Sequence, residues 1–249
     1  MAAGVAGLAV LAFARGFRRL RRRGRVGWGR AALFGLAVTV GLLAVLSPLD
    51  AVAEDELLSA HMLQHVLLGD LVPLLLVLAL RGPLLFAVVP PPLGRLAAGV
   101  GPTPAFVLWL VVFGAWHVPA LYQATLASPL LHAAEHASFF TAGLFVWIQL
   151  VDPARRRALS RWGAVGYAAA LLLIGQLFAN TLVLTSTVVY PAYGDAHLLG
   201  LSARSDQDAA GLVMMLEQIA TLGTFVVLNV RAALRSPLVL RDGGHPLGV

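Results

Sequence analysis

The sequence predicts an all-α, polytopic integral membrane helix bundle: one domain over residues 1–249 with seven transmembrane helices. Three observations carry that prediction. First, 59% of the 249 residues are apolar and 12% charged, with mean hydropathy +0.84, which is not the balance of a soluble domain. Second, apolar runs long enough for the ~30 Å hydrocarbon layer, roughly 20 residues, recur along the chain. Third, all 18 basic residues are arginine and lie almost entirely between those runs. There is no cysteine, which excludes disulfide frameworks, cysteine zinc sites and thiolate chemistry.

The spans are expected near 1–14, 28–47, 58–80, 104–121, 129–151, 162–189 and 207–230. The first is short, since 14 residues at 1.5 Å each cover only ~21 Å. No basic residue precedes it, and the block Arg15, Arg18, Arg19, Arg21, Arg22, Arg23, Arg25 and Arg30 follows it. That is not the pattern of a secretory signal peptide, and such a block stays cytoplasmic. Residues 82–92 (GPLLFAVVPPP) are too short to span and too rich in proline to continue a helix, so an inner-surface loop or re-entrant turn is expected. The fifth span opens at Ser128-Pro129, an N-cap followed by proline at the first helical position. The seventh opens at Ser205-Asp206-Gln207-Asp208, which has capping-box form.

With the first arginine block inside, Arg81 and Arg95, then Arg155, Arg156, Arg157 and Arg161, then Arg231, Arg235 and Arg241 also fall inside. That places 17 of 18 arginines on the cytoplasmic side, with Arg204 the exception. The outer loops carry Asp50, Glu54, Asp55, Glu56, Asp195, Asp206 and Asp208. The N-terminus is therefore expected outside and the C-terminus in the cytoplasm. The net charge of +6 is then a topological asymmetry, and no nucleic-acid partner is expected.

Five of the seven histidines fall within or at the ends of spans: His61, His65, His117, His132 and His136. His61/His65 and His132/His136 have H-x-x-x-H spacing, which puts each pair on one helix face about 6 Å apart along the axis. The third and fifth spans run in the same direction. His61 and His132 should therefore share one depth, with His65 and His136 one turn below and His117 arriving from the outer end of the fourth span. Ionisable groups are costly in a bilayer and mark pathways, cofactors or relays. Neutral imidazole is a ligand for copper, zinc, iron or nickel. The alternative is interhelical hydrogen bonding. His197 lies in a loop and His245 on the inner tail.

Other polar groups read less sharply. Glu135, three residues after His132, can orient an imidazole or make an ordinary interhelical bond. Asp70 is ~140° round the helix from His65 and is expected to be a buried interhelical partner. Asp206 and Asp208 sit at the outer mouth. Met62, Met214 and Met215 read first as packing residues, although thioether is a plausible Cu(I) ligand.

The strings SAHMLQHVLLGDLVPLLLVLAL (59–80), WHVPALYQATLASPLLHAAEHASFFTAGLFVW (116–147) and DQDAAGLVMM (206–215) resemble the polytopic CtaG-type (caa3) cytochrome c oxidase assembly proteins, over most of residues 28–232. The combination of H-x-x-x-H, W-H-x-P-x-L-Y, L-H-x-x-E-H and D-Q-x-x-A-G is more specific than any one motif. The resemblance implies a multi-pass factor of the bacterial plasma membrane that helps to deliver or insert copper into a haem–copper oxidase. It implies an oxidase subunit and an extracytoplasmic copper chaperone as partners. It points to His61, His65, His117, His132 and His136 as metal residues, with Glu135, Asp206 and Gln207 in the same blocks. A single-span copper chaperone that shares the family's name works through cysteines, and this chain has none.

Other chemistries use the same residue types. His132-Ala-Ala-Glu135-His136 matches the H-x-x-E-H zinc-protease pattern, with Glu217 as a conceivable third ligand. A di-metal membrane oxidase, a haem-binding membrane cytochrome and a transporter of copper or another metal also use intramembrane histidines. Apart from the metalloenzyme readings, no catalytic residue is expected.

Overall fold

A computed structural model describes residues 2–194 and 198–235. His197, His245, Asp195 and Arg241 lie outside the described residues. The described chain is helical throughout, without strands. Four helices are long and apolar enough to cross a membrane: Trp28–Leu46, Leu58–Ala79, Arg161–Leu184 and Ala203–Arg235. A fifth is added if the pair Pro91–Gly99 and Pro102–Trp116, bent by 88°, counts as one span. Pro129–Val151 has 23 residues, about 34 Å of helix, but His132, Glu135, His136 and Gln149 dilute its apolar character.

Helix α1 is Ala2–Arg21, longer than the expected 1–14, because nothing stops it before Gly24 at φ +67°. Its Phe13, Phe17 and Leu20 are buried, and Phe13 stacks on Phe34 of α2 (Trp28–Leu46) with centroids 3.9 Å apart. A short α3, Pro48–Asp55, was not anticipated. Ser47 caps it by accepting from the Leu49 N–H, and Pro48 opens it. The stretch read as a loop at 82–92 instead holds the short helix α5, Pro83–Val88, and the start of α6, Pro91–Gly99. The prolines occupy first-turn positions, where a missing N–H is harmless.

Helix α7, Pro102–Trp116, ends before the expected 121 because Pro119 disfavours helix at Val118 and begins the separate α8, Pro119–Leu126. Helix α9 is Pro129–Val151, capped by Ser128 as expected. Helix α10, Arg161–Leu184, stops at extended Thr185, short of 189. Helix α11, Ala203–Arg235, is capped by Ser202 and not by the 205–208 box.

Helix α4, Leu58–Ala79, holds the key irregularity, a π turn over Leu67–Leu71. Pro73 has no N–H for the Gly69 carbonyl and its ring would strike that oxygen in a regular helix. The π turn relieves the clash and leaves the carbonyl facing α9 at Gly143, where any Cβ would collide with it. The two helices thereby cross closely. A second π turn, Ile219–Gly223, interrupts α11. At one end of the bundle, Arg25, Arg30, Arg81 and Arg155 surround a common recess, and Gly82 N–H donates to Pro153 O at 3.0 Å. At the other end, Asp50 accepts from Gln64 Nε2–H at 2.5 Å, and Glu54 and Asp206 make the contacts described below.

Candidate metal centre

The upper ends of α4 and α9 bring four histidines together. The start of α4 is fixed from another helix. The Asp206 carboxylate of α11 accepts from Leu58 N–H at 2.6 Å, Ser59 N–H at 3.1 Å and the Ser59 hydroxyl. Asp206 thus supplies the N-cap that Leu57 cannot. Gln207 beside it accepts from Val189 N–H at 2.7 Å and donates to Leu182 O and Thr187 O, pinning the connection after α10. Both residues serve as fasteners of the site's frame.

His61 lies against His132 (ring centroids 5.2 Å) and His65 against His136 (5.5 Å), the depth matching expected from the spacing. His61, His65 and His132 are buried, as is Glu135. His61 Nε2 is 2.9 Å from His65 Nε2, and the Glu135 oxygens lie 3.7 Å from the first and 3.5 Å from the second. Ligand atoms at about 2.0–2.1 Å from a tetrahedral metal stand about 3.3 Å from one another, and the observed separations bracket that value. A second group, His61, His132 and His136, also has its ligand atoms within 4.8 Å of one another.

Hydrogen bonds at the other ring nitrogen set the tautomers. His61 Nδ1 faces the Ala53 carbonyl at 3.1 Å and the Tyr193 hydroxyl at 2.9 Å. Since Tyr193 itself donates to Ala53 O at 2.8 Å, the imidazole proton sits on Nδ1 and the Nε2 lone pair faces the cluster. Burial holds the Tyr193 phenol above its ordinary pKa, so it remains a donor. His132 Nδ1 pairs with Glu54 Oε1 at 2.6 Å, which leaves its Nε2 free. His132 Nε2, His136 Nε2, His65 Nδ1 and both Glu135 oxygens are buried with no hydrogen-bond partner. Converging ring nitrogens and carboxylate oxygens with so few partners of their own are an arrangement a cation satisfies. The residues present therefore fit a metal ion.

His117 is not in either ligand group. Helix α7 ends at Trp116, and His117 Nδ1 donates to Phe113 O at 2.7 Å, turning its buried, unpartnered Nε2 into a neighbouring cavity. Met62 and Met214 line that cavity too. Asp70 was expected off the histidine face. It accepts from Trp147 Nε1–H and from Thr221 Oγ1–H at 2.6 Å, an interhelical partner as expected, yet it lines the same cavity as His65. The π turn explains this. With two α steps of 100° and three π steps of roughly 82°, Asp70 lies about 86° from His65 instead of 140°.

Sequence reasoning missed the supporting roles of Glu54 and Tyr193. Glu54 rides on α3, whose only signal was Ser47-Pro48, and nothing local links Tyr193 to a histidine 132 positions away.

A protein-family model described as cytochrome c oxidase caa3 assembly factor matches residues 11–236. The chain belongs to this family. No curated protein and no solved structure matches it. For a family member the other chemistries fit less well. Glu217, the third ligand a protease would need, faces Asp70 and belongs to neither histidine group. Facing rings 5.2 and 5.5 Å apart leave no slot for a haem macrocycle.

Proposed function

We propose that this assembly factor holds a copper ion, as cargo, in the cluster His61, His65, His132, His136 and Glu135, and passes it to a subunit of a haem–copper oxidase. The observation that carries the reading is the convergence of buried imidazole nitrogens and Glu135 carboxylate oxygens, with the ligand atoms of each three-residue group within 4.8 Å of one another. Copper(II) binds nitrogen ligands more tightly than the other first-row divalent ions, and copper(I) also accepts imidazole. Glu135 supplies negative charge that lowers the cost of a cation in a low-dielectric site. Exchange between one histidine set and another involves ligands of the same kind, so transfer needs no large difference in affinity. The protein acts here by binding and not by catalysis.

The reading takes the bundle as seven spans in a bacterial plasma membrane, N-terminus outside and C-terminus in the cytoplasm, loaded by an extracytoplasmic copper chaperone. It is supported by the gathering of arginine-bearing loops at one end of the bundle, the end opposite Glu54 and the histidines, as the positive-inside rule requires. The length of α9 adds to that support.

The test is copper content per chain in purified protein, compared with a variant in which His61, His65, His132 and His136 are all replaced. Loss of copper from the variant, together with an oxidase that lacks its copper in cells carrying it, is the expected result. Equal copper in both proteins would remove the site.

A further inference from the structure

Directly inward of the cluster lies a cavity of about 50 Å³, room for a few water molecules or one ion with its ligands. One face of each of several helices lines it. Met62 and His65 come from α4, Phe113 with His117 from the end of α7, and Met214, Glu217 and Gln218 from α11, with Asp70 at the π turn. The outer end carries soft and neutral donors. His117 is 5% exposed, its Nδ1–H is spent on Phe113 O, and its Nε2 has no partner. Met62 and Met214 are 1% and 2% exposed.

The inner end carries acids. The Glu217 carboxyl is buried against the Asp70 carboxyl and the Thr221 hydroxyl, and the donors of Asp70 are Trp147 and Thr221. Among the described residues that line the cavity, none is an arginine. Two carboxyl groups turned toward each other at this depth, with an unpaired imidazole and two thioethers above them, form a chamber in which a cation can take the place of a shared proton.

We propose that this chamber is a second cation site, taking one soft monovalent ion, Cu(I), between the His117 imidazole and the Met62 and Met214 thioethers, with Glu217 and Asp70 supplying the compensating negative charge. It rests on the copper reading of the outer cluster and extends it. His65 borders both sites, so an ion can move from the outer station to the inner one without crossing apolar wall. The thioethers select the reduced ion, whereas the outer cluster offers nitrogen and oxygen only.

The test loads full-length protein, purified in detergent, with Cu(I) under anaerobic conditions against a competing chelator. It reads copper per chain and the X-ray absorption of the bound metal. Wild type should hold two coppers, one with sulfur in its coordination shell. The volume-conserving pair Met62→Leu and Met214→Leu should lose one copper and the whole sulfur signal, and His117→Gln should lose the same copper. His132→Ala with His136→Ala should lose the other copper and keep the sulfur signal. One copper without sulfur in wild type overturns the chamber site and leaves the outer cluster standing, and so do two coppers without sulfur. In the first case the acid pair is satisfied by a proton. Copper bound only through sulfur would overturn the outer cluster instead. A far-ultraviolet spectrum and elution volume equal to wild type show that each variant is folded.

Discussion

Removing the Asp206 carboxylate should loosen the start of α4 and, through it, the outer cluster. The side chain is 1% exposed, and so shielded from water, and Leu58 is 3% exposed. Substitution by alanine therefore leaves the Leu58 and Ser59 N–H groups without an acceptor. A hydrogen bond to a charged group contributes about 1.5–3 kcal/mol, and each stranded buried donor forfeits about 1–3 kcal/mol. The three bonds share one carboxylate and do not add fully, so about 3 kcal/mol is a fair figure for Asp206→Ala. Asp206→Asn keeps one acceptor oxygen and should lose about 1 kcal/mol. At roughly 2–4 °C per kcal/mol for a chain of this size, the alanine variant should melt about 6–12 °C lower. The assay is thermal unfolding of the purified protein in detergent, followed by size-exclusion recovery. A cycle with Ser59→Ala isolates the hydroxyl's share, expected at about 1 kcal/mol of coupling. A melting midpoint for Asp206→Ala within about 2 °C of wild type would refute the capping role.

Two further outcomes follow from the contacts of α9. Gly143→Ala puts a methyl onto the Gly69 carbonyl. Because backbone and not a flexible side chain must give way, a loss of several kcal/mol or failure to accumulate in the membrane is expected, read by the yield of monodisperse protein; a normal yield and melting point would contradict the close crossing. Glu54→Gln weakens the anchor on His132 Nδ1. Copper affinity should fall about 10-fold or more while the fold is kept, since partners of this kind orient metal-binding imidazoles; competition with a chelator measures it, and unchanged affinity would mean that Glu54 does not set the His132 tautomer.

The histidine geometry was legible because it depends on period alone. Four-residue spacing on two helices running the same way puts His61 beside His132 and His65 beside His136 wherever the loops go. The Ser128-Pro129 start of α9 was equally readable, since cap and proline act on adjacent residues. What escaped was set across the fold. Asp206 looked like part of a cap for its own helix, and only packing shows that it caps α4, while Ser202 does the local task. His117 looked like a fifth member of one cluster, but the helix break before Pro119 aims it elsewhere. The number of spans was harder still, because the groups that give α9 its chemistry also remove the apolar signature by which a span is recognised.

The π turn in α4 also sets the angular phase between the two halves of that helix. Deleting one residue within 67–71 would restore regular winding and leave the flanking turns almost in phase, because five π steps of roughly 82° cover nearly the same angle as four α steps of 100°. The inner face would still pack on α9, but the widened turn that sets the Gly69 carbonyl against Gly143 and brings Asp70 toward the histidine side would be gone. The extra residue works as a fixed offset that lets one straight span address two chemically different stations on the same side.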